Sequence, residues 1–128
     1  MNIYVAARFT EKALVQDLYA KLIAKGHTIT ADWTKHQNVK PYNEHPDEAG
    51  TYSKEDLDGV IKSDVFIYLS SPEVGAGLST ELGAALASFI QIGKPKIYVV
   101  GKFVSTNAFH YHPAVIRVTD IRSALKLL

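Results

Sequence analysis

The sequence predicts an α/β protein built on a parallel, doubly wound sheet. Short apolar runs rich in β-branched and aromatic residues alternate with longer stretches whose apolar residues recur at helical spacing. Glycine and proline punctuate the joins. At 128 residues, with 47% hydrophobic and 21% charged side chains, the chain suits one domain spanning residues 1–128. The net charge of +1 gives no electrostatic case for a nucleic-acid polymer or a membrane surface. The lack of cysteine excludes disulfides, thiol catalysis and thiolate metal sites. No apolar run approaches the roughly 18 residues of a membrane helix. The N-terminus enters a strand without a signal-peptide pattern, so a cytoplasmic location is expected.

Asn2-Ile3-Tyr4-Val5-Ala6-Ala7 reads as the first strand, and Arg8-Phe9-Thr10 as the loop after it, with Thr10 as N-cap. From Glu11 to Lys25, Leu14, Val15, Leu18, Leu22 and Ile23 fall on a helical stripe that Gly26 ends. Residues 28–33 are expected as the second strand. Residues 34–50, polar and carrying Pro41 and Pro46, read as a long loop of the kind that is either a functional lid or disordered. A helix follows from Tyr52 to Lys62, with Ser53 as its cap and Leu57, Val60 and Ile61 facing inward. Residues 65–69 form the third strand. The fourth runs from Lys96 to Gly101 after a Gly93-Lys94-Pro95 helix stop. Residues 103–113 are irregular, 114–118 form the fifth strand, and Thr119 or Asp120 caps a last short helix. Five such strands joined by right-handed crossovers imply a flavodoxin-like order, 2-1-3-4-5, with helices on both faces.

That order makes strands 1 and 3 neighbours and puts the topological switch point between their C-terminal ends, where ligands bind in open α/β sheets. The ends carry Ala6-Ala7-Arg8 and Ser70-Ser71-Pro72. Next comes Gly75-Ala76-Gly77, then Ser79 or Thr80 as an expected N-cap, with Glu81 in the first helical turn. An acid there is commonly no more than a favourable partner for the helix dipole. The small residues Gly83, Ala84, Ala85 and Ala87 suggest instead a helix lying close on the sheet, with Glu81 held firmly toward a ligand.

Several familiar sites do not match. Arg8-Phe9-Thr10 is not a flavin phosphate loop, and the strand ends lack the acids of a phosphoacceptor receiver. Gly75-x-Gly77 does not complete a dinucleotide fingerprint, and it follows the wrong strand. His110-x-His112 lacks a third ligand, so no metal is expected. Carboxylate chemistry remains. Asp56, on the helix before the third strand, is placed to share a sheet edge with Glu81, and a carboxylate pair can perform glycosyl transfer. Spacing alone leaves Asp56 equally readable as a solvated helix acid beside Glu55 and Asp58.

The segments Ile3-Tyr4-Val5-Ala6-Ala7, Tyr52 to Val60 followed by Ser63-Asp64-Val65, and Gly75-Ala76-Gly77 through Thr80-Glu81-Leu82-Gly83-Ala84-Ala85 resemble the nucleoside 2-deoxyribosyltransferase family, with its branch of deoxynucleotide N-glycosidases. The likeness runs from Asn2 to about Val118. It implies that Glu81 attacks C1′ to form a covalent deoxyribosyl-enzyme. It implies that Asp56 assists proton transfer to the departing base, and that Tyr4 orients Glu81 by a hydrogen bond. Ala7, Arg8, Phe9, Ser70, Gly75, Gly77 and, across a subunit interface, His112 are then the expected substrate contacts. The implied partners are a nucleoside or nucleotide, a free nucleobase and further copies of the chain in a homodimer or larger oligomer, with no cofactor. Phe103, Phe109 and Tyr111 fit either such an interface or the core. The family's loop is tighter, Gly-x-Gly-x-Glu-Leu-Gly, whereas Leu78-Ser79-Thr80 separate Gly77 from Glu81 here, and Glu73 is the candidate for its base-binding acid. Two alternatives to transfer stand beside it: hydrolysis of a deoxynucleoside 5′-monophosphate, and a nucleotide-binding module without turnover.

Overall fold

The computed structural model describes residues 1–73, 75–103 and 107–128. Its sheet has five parallel strands: β1 Asn2–Ala6, β2 Thr28–Ile29, β3 Val65–Leu69, β4 Lys96–Val100 and β5 Val115–Val118. Their spatial order is 2-1-3-4-5, the flavodoxin-like arrangement expected. Four helices interleave: α1 Lys12–Ala24, α2 Pro46–Lys62, α3 Ala76–Ile92 and α4 Ile121–Lys126. β3 is buried along its whole length between β1 and β4, as a central strand covered on both faces must be. Tyr4, Phe66, Ile97 and Tyr98 are fully buried at the centre of the core.

The structure departs from the sequence reading at several element ends, each for a local reason. β2 holds only two residues, paired to Asn2 and Ile3. Beyond it the Asp32 carboxylate accepts from the Thr34 amide at 3.0 Å and caps a 3-10 turn over Trp33–Lys35. Trp33 donates its indole N–H to the Val5 carbonyl at 2.7 Å. These bonds draw the chain off the sheet edge and over the end of β1.

Thr10 is not an N-cap. It lies inside a 3-10 turn, Phe9–Glu11, that leads into α1. Nor does Ser53 cap α2, which begins about two turns earlier. Pro46 takes the first helical position, where its missing N–H is harmless, and Asp47 and Glu48 follow in the first turn. The Ser53 hydroxyl bonds the Gly50 carbonyl within the helix.

The start of α3 also differs. Gly75 is its N-cap, and Thr80, expected to cap, donates back to the Ala76 carbonyl at 2.9 Å. Glu81 therefore stands in the second turn, out of the first-turn position that favours acids. The helix packs through Leu78, Leu82, Ala85 and Leu86, while Gly83 and Ala87 face solvent. Burying Leu82 alone contributes about 2 kcal/mol. α3 ends at Gly93, whose φ of 77° is the left-handed cap conformation. At the C-terminus Asp120 is the residue that caps α4, accepting from the Ser123 amide at 2.7 Å. Residues 104–106 of the expected irregular stretch lie outside the described residues, and Ala108–Tyr111 form a 3-10 turn.

Candidate active site

A cleft of about 880 Å³ opens at the C-terminal ends of β1 and β3, the switch point of the sheet. Its walls come from four segments: the loop after β1 (Ala7, Arg8, Phe9), the strap between β2 and α2 (His36 to Tyr42), α2 (Tyr52, Ser53, Asp56) and the start of α3 (Gly75 to Leu78, with Glu81).

Glu81 and Tyr4 form the centre. The Tyr4 hydroxyl, at the end of a fully buried ring on β1, donates to Glu81 Oε2 at 2.5 Å. The ring is held by parallel stacking on Phe66 of β3, 5.9 Å between centroids. Burial pushes the Glu81 carboxyl up to about 8, opposed by the Tyr4 hydrogen bond and assisted by the nearby charge of Asp56. Burial and both carboxylates drive the Tyr4 phenol far above its ordinary range, so it stays a donor.

Asp56 lines the same cleft. Burial raises it to about 6, less than burial alone would, because His36 favours its ionised form. Asp56 Oδ2 lies 4.0 Å from His36 Nδ1, and Oδ1 is buried with no hydrogen-bond partner among the described groups. An unpaired buried carboxyl oxygen at a cleft is poised to exchange a proton with a ligand.

His36 completes the wall, a residue within the stretch read as a long loop but not singled out in it. Its ring stacks on Tyr52 of α2, 4.0 Å between centroids, and Nε2 lies 3.2 Å from Glu55 Oε2. The Gln37 amide reaches the Tyr52 hydroxyl at 3.4 Å. The strap is thus pinned to the helix that bears Asp56. The polarity of residues 34–50 marked a loop. The stacking could not be read from sequence because it joins a loop residue to a helix residue on separate segments, and periodicity does not report which segments meet.

Of the expected contacts, Ala7, Arg8, Phe9, Gly75 and Gly77 line the cleft with Glu81 and Asp56. Arg8 pairs at 2.5 Å with Glu73, tying the loop after β1 to the loop before α3. Glu73 is itself outside the cleft lining. A Cβ at Gly77 would meet nothing within 4 Å, so this position leaves open space. Ser70 and His112 are not among the described lining residues. The Ser70 hydroxyl donates to the Val100 carbonyl at 2.7 Å and packs on Gly101, whose φ of 121° carries the chain past it. His112 lies beyond β4, where Nδ1 accepts from the Ala114 amide at 3.0 Å.

Among the described residues no cluster of three or more His, Cys, Asp and Glu side chains is arranged to hold a metal ion. No described helix is long and apolar enough to cross a membrane.

The fold and the cleft at its switch point place the chain among flavodoxin-like α/β proteins. No family model and no curated protein matches the sequence. Among solved structures, the Clostridium botulinum CMP N-glycosidase BcmB shares the fold over the full length of both chains, with a TM-score of 0.65 at 20% sequence identity.

Proposed function

We propose that this chain breaks the N-glycosidic bond of a 2′-deoxynucleoside or its 5′-monophosphate and passes the sugar to a nucleobase or to water. One observation carries this reading: the Tyr4 hydroxyl holds one oxygen of Glu81 while Asp56 lines the same cleft. The resemblance drawn from the sequence motifs and the shared fold of a CMP N-glycosidase support it.

The free Oε1 of Glu81 attacks C1′ as the C1′–N bond breaks, and protonated Asp56 delivers its proton to the leaving base. Tyr4 keeps Oε2 turned away from the sugar. An incoming base or water then attacks C1′, gives its proton to the Asp56 carboxylate and releases Glu81 as carboxylate. A 2′-deoxy sugar lacks the electron-withdrawing hydroxyl, which lowers the barrier to the cationic transition state. Arg8, which lines the cleft as Lys40 does, takes a 5′-phosphate in this reading and exchanges its bond to Glu73 for it. Exposed Phe109 and Tyr111, with His112 beside them, supply the surface for a second copy.

The test is incubation with single nucleosides and nucleotides, ribo and deoxy, with and without an acceptor base, followed by chromatography. A new nucleoside that requires acceptor identifies a transferase, and free base without acceptor identifies a hydrolase. Glu81→Ala abolishes either product. Binding of nucleotides without any Glu81-dependent product refutes the enzymatic reading in favour of a binding module.

A further inference from the structure

Gly59 sits one turn after Asp56, buried inside α2. A helix interior is where glycine is least suited, since its backbone loses the most freedom there. The surroundings explain its presence. A Cβ at this position would lie 2.7 Å from the Ala31 Cβ, 3.1 Å from Tyr4 Cδ2 and 3.3 Å from Thr30 Oγ1. None of the three can easily move. The Ala31 methyl has no rotamer to turn into. The Thr30 hydroxyl donates to the Gly59 carbonyl at 2.8 Å, satisfying one of the last four carbonyls of α2. The Tyr4 ring has its face on Phe66 and its hydroxyl on Glu81.

We infer that Gly59 is a positioning residue for the Glu81–Tyr4–Asp56 site: its missing side chain sets how closely α2 approaches β1. Two consequences follow from that approach. The Tyr4 ring stays in the plane that carries its hydroxyl to Glu81. Asp56, three residues earlier on the same helix, is held over the same cleft. A methyl group at residue 59 must push α2 outward, tilt the Tyr4 ring, or both. The functional meaning rests on the proposed glycosyl chemistry, whereas the geometric dependence does not.

Two variants separate the contacts. Gly59→Ala introduces all three collisions. Gly59→Ala combined with Ala31→Gly relieves the closest one and leaves the push on Tyr4. The readout is a carbon-13 NMR titration of the Glu81 carboxyl, assigned with Glu81→Gln, together with thermal melting, kcat and KM. The titratable side chains acting on Glu81 are Tyr4 and Asp56, and Tyr4 is the one that favours its ionised form. In the double variant the Glu81 titration therefore moves, to higher pH where the Tyr4 ring gives way, as in Tyr4→Phe, and to lower pH where α2 moves out and takes the Asp56 charge with it. kcat falls by about tenfold or more, with KM little changed, as expected for misplaced reacting groups. A Glu81 titration left in place in the folded double variant overturns the inference whatever its melting temperature. The titration needs no substrate, so a protein inactive on every nucleoside and nucleotide would refute the proposed function and leave this test standing.

Discussion

Glu81 is the weaker acid of the pair, held at about 8, while Asp56 stands at about 6. The reacting form proposed above needs Glu81 ionised and Asp56 protonated, the reverse of their order of ionisation. That form is a minority species, about 1% near pH 7 if the two titrate independently. The predicted profile of kcat/KM climbs toward pH 6, stays level between the two values and falls above about 8. Asp56→Asn removes the acid and, with it, the charge that raises Glu81. Its residual rate should rise with pH to a plateau at lower pH than Glu81 titrates in the native chain, without the alkaline fall. A decline above pH 8 that persists in Asp56→Asn would assign the proton donor to another group.

The strap and α2 work as one element at the next scale. Asp32 caps the turn that turns the chain away from the sheet edge, and the His36–Tyr52 stack returns it onto the helix carrying Asp56. An aromatic pair of this kind is worth about 0.5–1.5 kcal/mol beyond its buried area. Tyr52→Leu removes the stack and the partner of the Gln37 amide. The expected result is faster proteolytic cleavage between residues 36 and 45 and a KM raised up to about tenfold, the equilibrium equivalent of that energy. Core strands are untouched, so melting should shift little. Unchanged cleavage kinetics would mean that the strap is fastened elsewhere.

For the whole molecule, the buried site draws on the stability of the fold. Glu81 keeps its proton in the folded chain up to about 8, while its ordinary value is 4.5. Across that interval the folded state binds more protons than the unfolded one. The contribution is therefore fully present below about 4.5 and is lost as pH rises through 8. Glu81→Gln retains an oxygen to accept from Tyr4 and has no proton to lose. Its melting temperature relative to the native chain should rise from pH 5 to about pH 8 and level off above that. A constant difference across that range would show that Glu81 is not held protonated by the fold.

Strand order, the central position of β3 and the pairing of the ends of β1 and β3 were legible in the chain alone. Alternating apolar runs and helical stripes admit few right-handed arrangements, and 2-1-3-4-5 is among them. The glycine loop and Glu81 after it were marked by local sequence, whereas Tyr4 and Asp56 were picked out only by the family resemblance, since periodicity reads Tyr4 as a strand aromatic and leaves Asp56 open as a solvated helix acid. Element ends could not be located from the chain, since the capping bonds of Asp32, Pro46 at the first position of α2 and the back-bonded Thr80 depend on neighbours in space or on competing local hydrogen bonds. Only tertiary structure decided that Glu81 meets Tyr4 in a second helical turn, that His36 stacks over Asp56's helix, and that Ser70 is tied to β4 away from the cleft. Those outcomes follow from distances between segments far apart in the chain, and periodicity carries no information about such distances.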